Sequence, residues 1–194
     1  MTPVEAAREL RELSRFDLAL RQRMEGVLWI VLGLTLSSLF FSYAFAVLDD
    51  VPVGILFFLW MPWTAAGFLV VWSLRRSLTL AGSAAPEWGA SSWLFGGAAA
   101  ACIFAMGALI VVGREVAPSF ALLAVGVLAL APALVPSMGY TQLGKRVGLV
   151  LGTLGILAAV SVLVARGDGT WGTWAAASVC FCWVLGGTYQ VLQG

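Results

Sequence analysis

Long apolar runs broken by short polar stretches set the pattern of this chain. They cover about 27–48, 52–74, 91–113, 117–138, 147–165 and 173–192. Each is close to the roughly 20 residues that a helix needs to cross a hydrocarbon core about 30 Å thick. Lipid offers the backbone no hydrogen bonds, so runs of this length must be helical. The breaks are Asp49-Asp50, Arg75-Arg76, Arg114-Glu115 and the loops YTQLGKRVG and RGDGTWG. The pattern predicts an all-α polytopic membrane protein with six transmembrane helices in one bundle over 27–194.

Residues 1–26 follow a different pattern. In RELRELSRFDLALRQRMEG, Leu13, Phe16, Leu20, Met24 and Val27 share an arc of roughly 120° on a helical wheel, with Leu10 at its edge. Arg8, Arg11, Glu12, Arg15 and Gln22 lie opposite. Arg8 with Glu12, Asp17 with Arg21 and Arg21 with Glu25 are spaced to pair along a helix. The expectation is an amphipathic cytoplasmic helix at the membrane interface, its arginines near lipid headgroups. A docking role is the alternative, because Glu9 and Asp17 intrude at or near the apolar face. On either reading Arg8, Arg11, Arg15, Leu13 and Leu20 are the candidate contacts.

Basic residues flanking membrane spans are retained on the cytoplasmic side. With the N-terminus inside, that side holds Arg8, Arg11, Arg15, Arg21, Arg23, Arg75, Arg76, Lys145 and Arg146, against Arg114 and Arg166 outside. Both termini are then expected in the cytoplasm. Ala44-Phe45-Ala46 resembles a signal-peptidase site, but the apolar run before it is longer than a signal core of about 7–15 residues. The first span is therefore expected to stay.

Composition narrows the function classes. The chain is 61% hydrophobic and 11% charged, with mean hydropathy +0.96, far from soluble proteins, in which about a quarter of residues are charged. A net charge of +1 and no basic run interleaved with aromatics argue against nucleic acid as a partner. There is no histidine, so His-ligated metal or haem and His base chemistry are excluded. Cys102, Cys180 and Cys182 fall within spans. Cys180 and Cys182 point to nearly opposite sides of a helix and read as small packing residues. No ionisable residue lies in the middle of any span, which disfavours buried-carboxylate proton relays and membrane catalysis. Glu25, Asp49, Asp50 and Glu115, at span ends, read as topology-setting or capping groups. No catalytic, cofactor or metal site is expected.

Within the spans, Gly148, Gly152 and Gly155 form one small-residue stripe and Gly97 and Ala101 belong to another, each allowing close helix packing. Pro132 and Pro136 remove the amide donors of Leu128 and Pro132, and Pro62 that of Phe58. Trp29, Trp72, Trp88, Trp93, Trp171 and Trp174 fall near predicted interfaces. Trp60, Trp63 and Trp183 fall near the midplane. With the three prolines they form a candidate cavity for a hydrophobic ligand, simple packing being the plainer reading.

Together these features suggest a non-catalytic integral membrane subunit, permease-like or accessory, of a multi-subunit transport assembly. The alternative is a self-sufficient permease or channel for a small uncharged or hydrophobic solute. Expected partners are membrane lipids with other membrane or cytoplasmic subunits, or further copies of the chain. The preference for Arg over Lys, with abundant Ala and Gly, suggests a prokaryotic plasma membrane.

Overall fold

The computed structural model describes residues 3–48, 66, 69, 72, 73, 76, 117–136, 139–165 and 169–194. Four helices make up nearly all of this: α1 (Pro3–Leu48), α2 (Ala117–Leu134), α3 (Gln142–Ala165) and α4 (Gly169–Gln193). No strand occurs among the described residues. Three segments are long and apolar enough to cross a membrane: Val4–Ser42, Gln142–Val164 and Trp171–Gln193. The apolar part of α2, Leu122–Leu134, is shorter. The spans expected at 52–74 and 91–113 lie outside the described residues, apart from 66, 69, 72, 73 and 76, which are helical.

Local chemistry sets the helix ends. α2 stops at Leu134, short of the expected limit near 138, because proline disfavours helical geometry at the residue before it and Pro136 follows. Pro132 is accommodated one turn earlier, where the Val135 N–H still reaches the Ala131 carbonyl at 2.9 Å. Gly139 then takes φ of +67°, a left-handed conformation that suits glycine. Thr141 is the N-cap of α3, which begins at Gln142, five residues before the expected start of the fifth span. Its Oγ1 accepts the Gly144 N–H at 3.1 Å.

α1 and α4 form an antiparallel pair along most of α4. Contacts run from Phe41 with Trp174, through Ser37 Oγ on the Ala177 carbonyl, Gly33 against Cys180, and Gly26 against Gly187, to Gly194 beside Ala19 and Gln22. α2 and α3 form a second antiparallel pair. Gly148 faces the Ala129 carbonyl, Gly152 faces Leu130 and Gly126, and Gly155 faces the Gly126 backbone. The stripe on the fifth span thus packs against the fourth within one chain. Gly97 and Ala101 lie outside the described residues. Between the pairs, Gly186 meets Val147 and Leu151, and the core gathers around Trp29, Leu122, Val125, Leu151, Ala176 and Trp183.

Two expectations change here. Residues 1–26 do not form a separate interfacial helix: α1 is unbroken across its 46 residues, about 69 Å at 1.5 Å per residue. Gly26 is not a joint, since it is the point of closest approach to α4. A helix continuous with the first apolar run leaves the bundle along that run's own direction. Trp29, placed by sequence at the interface, is instead 0% exposed in the core. Its ring meets Trp183 edge-on with centroids 5.2 Å apart.

A β-carbon at Gly26 would come within 2.6 Å of the Gly187 carbonyl oxygen, and one at Gly155 within 2.8 Å of the Gly126 Cα. Backbone has little room to yield. Gly26→Ala and Gly155→Ala are each expected to cost roughly 1–3 kcal/mol of stability, read as a lowered Tm in detergent. An unchanged Tm for both would show that these helices are not held at glycine-limited distance.

Candidate functional site

Where α1, α3 and α4 converge, a carboxylate is sealed from solvent. Glu25 is 0% exposed. Its Oε1 accepts the backbone N–H of Thr141 at 2.7 Å, and its Oε2 accepts the Thr141 hydroxyl at 2.6 Å and Gln190 Nε2 at 2.6 Å. Thr141 is buried and Gln190 fully so. One side chain of α1 thereby ties the start of α3 to the end of α4.

The local sequence of α3 explains why the carboxylate comes from another helix. Capping boxes pair an N-cap Ser or Thr with Glu or Gln three residues on, whose side chain accepts the N-cap N–H. Here Thr141 is followed at that position by Gly144. The first turn of α3 has no acidic residue, and Lys145 and Arg146 lie where a positive charge opposes the helix dipole. Glu25 supplies the missing acceptor and the missing negative charge from α1. Glycine at 144 is what makes room, since an alanine methyl there would overlap Glu25 Oε2.

Desolvating an ionised carboxylate costs several kcal/mol, and leaving its partners unpaired costs more. Three short bonds from oriented donors, with the α3 N-terminus behind them, offset part of that cost, and burial still holds the carboxyl above its ordinary value. Arg21, one turn earlier on α1, adds a favourable charge while its Nε lies 3.0 Å from Asp17 Oδ2. Burial, with the Glu25 charge second, holds the half-buried Tyr140 phenol well above its ordinary value. Tyr140 thus stays protonated beside the carboxylate. Among the described residues, no three His, Cys, Asp or Glu side chains gather as metal ligands. Carboxylate, hydroxyl and amide together are equipped to fix helices in register.

One turn deeper, the aromatic pair Trp29 and Trp183 continues the same contact. A β-carbon on Gly148 would lie 3.5 Å from the Trp29 ring and 3.7 Å from Pro132 Cβ. Pro132 and Trp183, both candidate cavity residues, therefore approach Trp29 from different helices, and both are buried. Pro136 is exposed beyond the end of α2. Trp60, Pro62 and Trp63 lie outside the described residues. At the other end of α1, Arg8, Arg11, Arg15 and Leu13 are exposed and Leu20 is half-buried. Arg8 Nε reaches Glu12 Oε1 at 3.2 Å.

Sequence reading treated Glu25 as one of several span-end charges and missed Thr141 and Gln190 altogether. The available signal was the incomplete capping box TQLG ahead of an apolar run.

If Glu25 and Thr141 act as one unit, their substitutions are not additive. Glu25→Gln and Thr141→Val, alone and combined, are expected to show a coupling energy of roughly 0.5–3 kcal/mol in detergent unfolding. Additivity within about 0.3 kcal/mol would mean the two residues are energetically independent.

Compared with family models, with curated proteins and with solved structures, the chain finds no match.

Proposed function

We propose that the chain is a non-catalytic integral membrane subunit, permease-like or accessory, of a multi-subunit transport assembly, with the N-terminal part of α1 as its cytoplasmic docking arm. The observation that carries this reading is the arm itself. The contacts of α4 with α1 reach Ala19. Pro3–Leu18 extends beyond them as helix for about 24 Å at 1.5 Å per residue. Leu10, Leu13 and Phe16 stand 68%, 65% and 69% exposed on it. Large apolar side chains lined up on a projecting helix are suited to a partner surface.

Charge favours protein over lipid as that partner. Within Pro3–Leu18 the arginines are Arg8, Arg11 and Arg15 and the acids are Glu5, Glu9, Glu12 and Asp17, a balance of 3 − 4 = −1. Acidic headgroups gain little from such a segment. Arginines can instead grip a partner in forked, two-bond geometry. The Glu25 anchor supports the same reading: a displacement of the arm is conveyed to the start of α3 and the end of α4 through three hydrogen bonds. α1 and α3 begin at one end of the bundle, where α4 finishes, in keeping with six crossings of a prokaryotic plasma membrane and both termini in the cytoplasm.

Replacing Arg8, Arg11 and Arg15 together by Lys keeps the charge and removes the forked geometry. The triple variant is expected to insert at normal levels with an unchanged Tm, because Arg8, Arg11 and Arg15 are exposed, and to lose co-purifying subunits. Retention of every partner at the parental level would defeat arginine-mediated docking. In liposomes the chain alone is expected to drive no uphill solute movement, whereas concentrative uptake sustained by an ion gradient would establish a self-sufficient permease.

A further inference from the structure

Gln190 meets Glu25 with only one end of its amide. Its Nε2 donates to Glu25 Oε2 at 2.6 Å, while its Oε1, on the same fully buried side chain, has no hydrogen-bond partner. A buried acceptor left unmatched is costly. The 2.6 Å separation is short for an N–H···O bond, which prefers about 2.9–3.0 Å, and ordinary for O–H···O. The two ends of a carboxamide have nearly the same shape, so turning the Gln190 amide over puts Oε1 where Nε2 lies, at the same distance from Glu25 Oε2. An O–H on Oε2 then has its acceptor in place.

We propose that Glu25 Oε2 is a proton-binding site and that Gln190 is the group that turns to receive the proton. A proton from water joins one lone pair of Oε2, the new O–H donates to Gln190 Oε1, and no covalent bond breaks. The other contacts survive. The Thr141 N–H still donates to Oε1, and the Thr141 hydroxyl to the remaining lone pair of Oε2. At worst the turned amide leaves Nε2 unpartnered in place of Oε1, so the two forms are matched in unmade bonds and differ by the proton. The carboxyl can therefore load and unload without unpacking α1, α3 and α4.

The charges around the site set its balance. Arg21, one turn earlier on α1, favours the ionised form, but its Nε is shared with Asp17 at 3.0 Å. Ahead of α3, Tyr140 stays a neutral phenol. The charged residues of α3 are Lys145, half-buried, and Arg146, exposed, and α2 and α4 have none. Against the cations and the hydrogen bonds stands desolvation, the largest effect, which favours the neutral acid. The way in from solvent is short, since Gly139 is exposed and Tyr140 half-buried immediately before Thr141.

The test is infrared spectroscopy of the full chain in lipid nanodiscs across a pH series, comparing the parent with Glu25→Gln and Gln190→Met. The parent is expected to show the C=O band of a protonated carboxyl that survives to higher pH than the exposed acids of the arm keep their protons. Glu25→Gln, a neutral isostere of the loaded site, is expected to insert normally and to lack that band. In Gln190→Met the band is expected to move, because the O–H has lost its acceptor. The Tm follows with a definite sign. A carboxyl held above its unfolded value contributes stability that is complete below the unfolded value and lost as pH rises through the folded one. The Tm of the parent minus that of Glu25→Gln is thus expected to fall as pH rises past the ordinary carboxylate range, and then to level off. Loss of the Glu25 proton together with those of the exposed acids, a band that persists in Glu25→Gln, a band unmoved in Gln190→Met, or failure of Glu25→Gln to insert would each overturn the proposal.

Discussion

The bonding of Glu25 to the start of α3 is the constraint on which the rest of the described structure depends. A carboxylate is admitted to the interior only where its charge is met by oriented donors, and the donors here come from two other helices. That requirement fixes the height of α1 relative to α3 and α4 at one level. From it follow the closest approach of Gly26 and Gly187, the meeting of Trp29 with Trp183 one turn deeper, and the fit of Gly148 against Trp29 and Pro132. Apolar packing alone would allow these helices to slide, because dispersion between small residues has little directional preference. The polar contact selects one register among many.

This division of labour bears on function. Among the described residues, the bundle below Glu25 is a set of closely packed helices without charge in its interior, and above it α1 continues as an unbroken rod with the ion pairs Arg8–Glu12 and Arg21–Asp17 along its surface. A rod rooted by directional contacts conveys motion better than one joined through a flexible loop. The same design places the only buried carboxylate among the described residues where the projecting part of α1 meets the bundle, so that on the proposed reading a partner pulling on that part would act on it first.

Much of the architecture was legible from the sequence. Apolar runs located the membrane-length part of the described helices, and the glycine spacing at 148, 152 and 155 marked a close packing face. The apolar arc at the start of α1 was visible as an amphipathic pattern. Other features were hidden for physical reasons. Periodicity reports which residues share a face but not whether one helix continues into the next, so the change in composition near Gly26 looked like a boundary. Trp29 resembled an interfacial anchor because its distance from the span end is that of an interfacial residue, and only tertiary packing buries it. Glu25, Thr141 and Gln190 are far apart in sequence, and each alone has an ordinary explanation. What could have joined them is Thr141 as a cap lacking its usual acid, a local deficit that demands a partner from elsewhere.

Amide hydrogen exchange at Thr141 and Gly144 reads the cross-helix cap most directly, because these N–H groups belong to the helix start and have no carbonyl of their own helix to protect them. The account predicts slow exchange at both positions in the parent, and faster exchange at both in Glu25→Ala, while amides deeper in α3 near Gly155 keep their protection. Unchanged protection at Thr141 and Gly144 in the Glu25→Ala variant would contradict the claim that Glu25 caps α3 and holds the three helices in register.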